Sequence, residues 1–210
     1  VNGVAVSVAE LAKKLADRGH TIYVFAPKYP RFSFNYPNIR LVPCQAISVP
    51  KYENLKLALP LNPGIFKFIK KEKIGLVHFH TPTPLGLQAI ILAKFLKLPL
   101  VGTFHGFFMD KEYLKHVKLN YDFVEKFMWK YSNFFYNKCD LVICPSEGTK
   151  AELIARKCKS PIKVIPYGID ASVFDNSRAI AVKRRHNKNG KLLLFVGRIA
   201  HEKNILFLLD

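Results

Sequence analysis

Leu192-Leu193-Leu194-Phe195-Val196-Gly197-Arg198-Ile199-Ala200-His201-Glu202-Lys203-Asn204 sets the reading of the chain. An uninterrupted apolar run stops at a glycine, two cations follow, and a second apolar run begins at Ile205. An unbroken run of this kind suits a parallel strand covered on both faces, where neither side meets water and alternation is lost. Gly197 lets the backbone turn tightly where the strand ends. In open α/β sheets that end is where ligands bind. Arg198 offers a planar fork for phosphate oxygens, and Lys203 offers a mobile point charge. A buried strand followed by a solvated basic turn explains the same residues, because Lys and Arg are common in this chain.

Upstream of this stretch, helix-period and strand-period segments alternate. Val4, Val8, Leu11 and Leu15 recur at helical spacing, with Ala5, Ala12 and Ala16 allowing close packing. Gly19 ends that helix, and Thr21–Ala26 reads as a strand. A proline-rich loop follows, then one or two short strands within Ile39–Val49. Asn62-Pro63 opens a helix that runs to about Lys73. Gly75–His80, Leu100–Phe104, Leu141–Cys144 and Ile162–Ile165 read as strands. Between them lie an apolar helix over Pro82–Leu96 and a long aromatic, Lys-rich helical region over Asp110–Cys139, broken near Asn120. A further helix is capped by Pro145-Ser146 and ends near Lys157.

This order predicts an α/β fold, a doubly wound parallel sheet. No strand precedes the glycine turn at Asn2-Gly3, so the chain is expected to be trimmed just after its first strand. The expected division is a domain over 1–170, a polar linker over 171–190, and the start of a second domain over 191–210.

With half its 210 residues hydrophobic and 23% charged, the chain is globular and not disordered. Its net charge of +18 calls for an anionic partner: nucleic acid, an anionic membrane surface or a phosphorylated small molecule. The four cysteines show neither CxxC nor zinc-like spacing, Cys144 reads as a buried small hydrophobe, and the set implies a reducing compartment. The best membrane-span candidate, Leu85–Leu100, is too short and is interrupted by Gln88, Lys94 and Lys97.

Several positions could carry chemistry. Asn2-Gly3-Val4 places backbone N–H groups at a helix start, where they would face an anion; an ordinary turn is the plainer reading. It does not fit GxGxxG, which removes the main support for a nicotinamide cofactor. His78 and His80 alternate along a strand and so share a face; one is expected to be a core histidine bonded to backbone, and His80 is the better cleft candidate. No nearby carboxylate completes a metal site with them. In Thr103-Phe104-His105-Gly106, the histidine ends a strand and the glycine leaves its ring room to enter a crevice. Lys111–Tyr136 interleaves lysines with aromatics, which suits an amphipathic helix packed on the sheet, a helix lying on an anionic membrane, or single-stranded nucleic acid. No nucleic-acid fold signature accompanies it, so nucleic acid is not expected. Ser146 lacks a neighbouring base and reads as a helix cap rather than a nucleophile.

Ordered segments along the chain resemble the retaining glycosyltransferases of the GT-B fold, family 4. They are Asn2-Gly3-Val4, His78-x-His80-Thr81-Pro82, Thr103-Phe104-His105-Gly106, Pro145-Ser146 with Pro166-Tyr167-Gly168-Ile169-Asp170, and Gly197-Arg198-Ile199-x-x-Glu202-Lys203-Asn204. At 167 this chain carries Tyr where the family's interdomain turn usually has Asn. The resemblance implies a Rossmann-like N-terminal domain on the acceptor side, joined to the start of a donor-binding domain. It implies transfer of a sugar from a nucleotide diphosphate, UDP favoured, to an acceptor hydroxyl with retention of configuration and without a cofactor or a required metal.

By the same resemblance His105 is the active-site histidine. Gly3, Arg198 and Lys203 take the donor diphosphate, and Asn2, Val4, His80, Thr103 and Gly106 line the cleft. Within the family the segments look most like diacylglycerol glucosyltransferases, so the acceptor is expected to be a lipid or a glycan. The protein is then expected in the cytoplasm, touching the anionic membrane face peripherally. The family's second-domain segment with two spaced glutamates does not occur before Asp210, so these 210 residues alone are expected not to turn over a sugar nucleotide. Two rivals stand beside this reading. A UDP-sugar 2-epimerase shares the fold but needs acid and base carboxylates, and a noncatalytic basic module would bind a membrane or nucleic acid by charge alone.

Overall fold

The computed structural model describes residues 3–30, 34–49, 52–58, 63–106, 121–169, 171, 179–186, 191–197, 199 and 205–208. The chain forms two compact units, Val1–Gly106 with Phe123–Gly168, and Phe107–Asp122 with Ile169–Asp210.

The first unit opens with helix α1 (Gly3–Asp17), which ends at Gly19 in a left-handed backbone (φ +88°) that glycine adopts without steric cost. Strands β1 (Ile22–Pro27) and β2 (Ile39–Cys44) pair in parallel, Ile22 opposite Ile39. Ala12 and Ala16 pack beside Ile39 in their core. The expected stripe on α1 is partly corrected here. Leu11 is exposed, because the two alanines bring the helix close along their own line and Leu11 stands one step round the helix from it.

Strands β3 (Ala46–Val49) and β4 (Tyr52–Ala58) form an antiparallel hairpin that the sequence reading did not anticipate beyond Val49. Helix α2 (Pro63–Lys71) follows with proline as its first residue, where the missing N–H costs nothing. Strands β5 (Val77–Phe79), β6 (Leu100–Thr103), β7 (Leu141–Cys144) and β8 (Ile162–Val164) then form a four-stranded parallel sheet in chain order. The helices between them are α3 (Pro84–Leu96), α4 (Tyr121–Tyr136) and α5 (Glu147–Ala155). The architecture is the α/β fold with parallel sheets that the strand–helix alternation predicts.

Alternation along these strands divides the sheet's two faces. Phe79, Leu100, Val142 and Cys144 point to one side, into the main core with Trp129 and Tyr136 of α4 and Leu153 of α5. Leu153, Val142 and Cys144 are fully buried there. Helix α3 is apolar on more than one side for a reason. Ile90 and Ala93 face this core, while Leu92 joins Ile65 and Ile69 of α2 in a second cluster.

In the second unit, helix α6 (Ala179–His186) occupies part of the expected polar linker, with residues 180–186 exposed. The strand expected over Leu192–Val196 is not formed. These residues adopt no regular structure, and Leu193, Leu194 and Val196 are 78%, 84% and 85% exposed. An apolar run becomes a buried strand only where neighbouring strands bond its backbone and helices cover its faces. No described residue pairs with this one as a strand. Ile205–Leu208 forms a 3-10 turn.

Candidate active site

The site is built on the other face of the four-stranded sheet, at the C-terminal ends of its strands. His78 and His80 alternate with the buried Phe79, and Thr103 and His105 alternate with the buried Phe104, so all four side chains come up on one side. Parallel pairing of β5 with β6 then sets them beside one another. His78 Nε2 lies 2.7 Å from Thr103 Oγ1, and His80 Nδ1 lies 3.1 Å from His105 Nε2. The rings of His78 and His80 lie with centroids 4.2 Å apart, tilted by 32°. The expected backbone partner of the core histidine is corrected to a side chain, the Thr103 hydroxyl.

Tyr167 completes the group from beyond β8. Its hydroxyl sits 2.7 Å from His105 Nδ1, and the two rings are nearly parallel, 8° apart in plane. Both ring nitrogens of His105 therefore have a side-chain partner. Sequence reasoning placed Tyr167 only in a turn; its departure from the Asn usual at that position was the available signal.

Electrostatics follow from burial. Desolvation, with repulsion from His105, holds His78 down to about 4. Desolvation, with repulsion from His78 and His105, holds His80 down to about 3. His105 is lowered by desolvation alone. All three are thus neutral imidazoles at neutral pH, able to donate through one nitrogen and accept through the other. Desolvation raises Tyr167, so its phenol keeps its proton. Among the described residues, no hydrogen bond or ion pair joins a carboxylate to these histidines, and no group of three or more His, Cys, Asp or Glu is arranged to hold a metal.

Gly106 acts through its backbone. A Cβ there would meet nothing within 4 Å, so steric room for the His105 ring is not what glycine supplies; φ is +115°, a conformation that side-chain-bearing residues rarely adopt. Gly3 opens α1, exposed, and its carbonyl accepts a bond from Ser7 Oγ at 3.0 Å; Val4 sits half-buried in the same turn. No hydrogen bond among the described residues links Gly3 to the histidines. Asn2, Arg198 and Lys203 lie outside the described residues. Ser146 caps α5, its Oγ accepting from Thr149 N at 3.2 Å. Cys144 is buried with a raised thiol pKa, the state of a core hydrophobe rather than a nucleophile.

Helix α4 carries a second surface. Trp129, Ser132, Phe135 and Tyr136 pack inward, while Phe123, Phe127 and Phe134 stay exposed. A groove between α4 and α5 is lined by Trp129 and Phe134 with Lys126, Lys130, Lys138, Arg156 and Lys159. The packed-helix reading and the basic-aromatic face are both present on one helix. No helix among the described residues is long and apolar enough to cross a membrane.

A parallel α/β sheet with histidines at its strand ends defines the class, and comparison gives the family. Residues 1–173 match Glycosyltransferase Family 4, and the chain belongs to that family. Alpha-monoglucosyldiacylglycerol synthase of Streptococcus pneumoniae is 27% identical over 98% of this chain and 47% of its own length. The enzyme of the same name from Acholeplasma laidlawii is 26% identical over 98% of this chain and 54% of its own. The chain thus spans about half the length of these relatives. A sucrose-phosphate synthase from Thermosynechococcus elongatus shares the fold with a TM-score of 0.69 at 18% identity, over 99% of this chain and 53% of that one. The fold is therefore that of the GT-B glycosyltransferases.

Proposed function

We propose that the full-length protein is a retaining hexosyltransferase that moves a sugar from a nucleotide diphosphate, with UDP favoured, to the hydroxyl of a membrane lipid such as diacylglycerol. The observation that carries this reading is His105, held at the C-terminal end of β6 between His80 and Tyr167. Ligands of open α/β sheets bind at that end of the strands. A neutral imidazole there can hydrogen-bond sugar hydroxyls and reacting oxygens. Thr103, His80 and Gly106 stand beside His105, and Asn2 and Val4 are assigned to the cleft by their motif's resemblance to the family.

The negative charge that builds on the departing diphosphate falls to Gly3, Arg198 and Lys203, an assignment that rests on their motifs' resemblance to the family. Preorganised cations and N–H groups of this kind supply transition-state stabilisation without a metal ion. In this reading residues 1–170 form the acceptor side, 171–190 the linker and 191–210 the start of the donor domain. The lipid acceptor is supported by the two diacylglycerol-glucoside synthases among the relatives. The exposed phenylalanines and lysines of α4 suit peripheral contact with an anionic membrane, at its cytoplasmic face. No observation favours an epimerase, whose carboxylates are not found beside the described histidines.

The test is a screen of UDP-, GDP- and ADP-sugars against the full-length protein with diacylglycerol in phosphatidylglycerol vesicles. Release of nucleotide diphosphate that depends on the lipid, with an α-linked glycolipid as product, is the expected result. Interconversion of the sugar nucleotide without transfer, or vesicle binding with no turnover on any donor, would overturn the proposal.

A further inference from the structure

The His105 ring is held on both sides, and the two bonds constrain each other. Tyr167 OH meets Nδ1 at 2.7 Å and His80 Nδ1 meets Nε2 at 3.1 Å. A neutral imidazole has one N–H, so only two proton arrangements satisfy the chain. Either the phenol donates to Nδ1 and His105 donates from Nε2 to His80, or every donor runs the opposite way. A phenol donates a hydrogen bond more strongly than it accepts one, which favours the first. The rings of Tyr167 and His105 are nearly parallel, 8° apart, with centroids 5.5 Å apart. Among the described residues, His78, His80 and Thr103 border this cluster, with the thiol of Cys144 and the phenol of Tyr136 beside Tyr167 and Thr103; burial keeps the two histidines neutral and raises both acids, so none carries charge at neutral pH.

We propose that Tyr167 is a positioning residue for His105: its hydroxyl donates to Nδ1, fixes the neutral Nε2–H tautomer, and leaves Nε2–H as the group offered to substrate. On substrate binding an oxygen of the sugar or the acceptor takes the place of His80 Nδ1 as acceptor of that bond. The role assigned to His105 is then hydrogen-bond donor, not general base, because its basic lone pair is occupied by the phenol. This inference rests on the reading of His105 as an active-site residue and adds its protonation role.

The experiment is ring-nitrogen NMR of the full-length protein labelled with 15N-histidine, wild type and Tyr167→Phe, with steady-state kinetics on both. Phenylalanine keeps the ring and its stack and removes only the O–H. The wild type should show His105 protonated on Nε2 alone. Tyr167→Phe should show the two tautomers in exchange. Its kcat should fall about three- to tenfold, the loss of one hydrogen bond in a desolvated site, with KM for the donor little changed.

A wild-type proton on Nδ1, or nitrogen shifts and kcat unmoved by Tyr167→Phe, would overturn the proposal. The nitrogen spectrum reads the tautomer whether or not His105 is needed for turnover, so the two readings can fail separately. Should Tyr167→Phe not fold, the wild-type spectrum alone decides.

Discussion

His80 Nδ1 and His105 Nε2 lie 3.1 Å apart, joined across the parallel pairing of β5 with β6. Two imidazoles can share that bond only while at least one is unprotonated, and burial keeps both neutral. The protein holds its histidines in a form that acid removes.

Acid sensitivity follows from this arrangement. His78 and His80 have folded pKa values of about 4 and about 3, below the unfolded value of 6.5, so the unfolded chain binds more protons in between. Their contribution to stability is complete above pH 6.5 and is lost as pH falls toward the folded values. Each pH unit below 6.5 removes roughly 1.4 kcal/mol per buried histidine. Thermal melts between pH 7.5 and 4.5 should show Tm falling below pH 6.5, and His78→Gln should flatten that fall. A Tm independent of pH across this range would contradict the burial of the pair.

Gly102, next to Thr103 on β6, permits close packing on the core face of the sheet. A Cβ there would stand 2.9 Å from both Cys139 Sγ and Phe79 Cζ and 3.1 Å from Tyr136 Cδ1, all buried. Gly102→Ala should cost about 1–3 kcal/mol in urea unfolding through overpacking, with an unchanged m-value. Wild-type stability in this variant would show that the α4 side of the sheet is loosely packed.

Gly106 makes a contrasting case, since its surroundings are open and only its backbone is demanding. Gly106→Ala should cost about 1–3 kcal/mol through backbone strain, and it should lower turnover as well, because relief of the strain displaces His105. Stability and kcat are measured on the same preparation. An unchanged value of both would mean that the backbone at 106 accepts a side chain freely.

The four-stranded sheet was legible because its strands are short apolar runs, the first three of them followed by helix-period segments, and such runs have few alternatives. His80, Thr103 and His105 were legible for a related reason: alternation along a strand fixes which side chains share a face. Three features were not. Tyr52–Ala58 mixes Glu53, Asn54 and Lys56 with its apolar residues, a pattern that only its pairing with β3 makes a strand. In the helix Ala179–His186, residues 180–186 are all exposed, so no buried face gives them a helical stripe. Tyr167 meets His105 across 62 positions, a contact that comes from the parallel pairing of β6, β7 and β8; local sequence marks the unusual Tyr but does not name its partner. The apolar run at Leu192–Val196 shows the converse. Its pattern is that of a buried strand, but pattern alone supplies neither the flanking strands nor the covering helices.

His105→Ala in the full-length protein tests the central claim most directly, measured as release of nucleotide diphosphate with diacylglycerol present and vesicle binding followed in parallel. The account predicts a fall in kcat of about a hundredfold or more, the scale of a lost group at the reacting centre, with vesicle binding and Tm close to wild type. Transfer at the wild-type rate by this variant would contradict the placement of His105 in the active site.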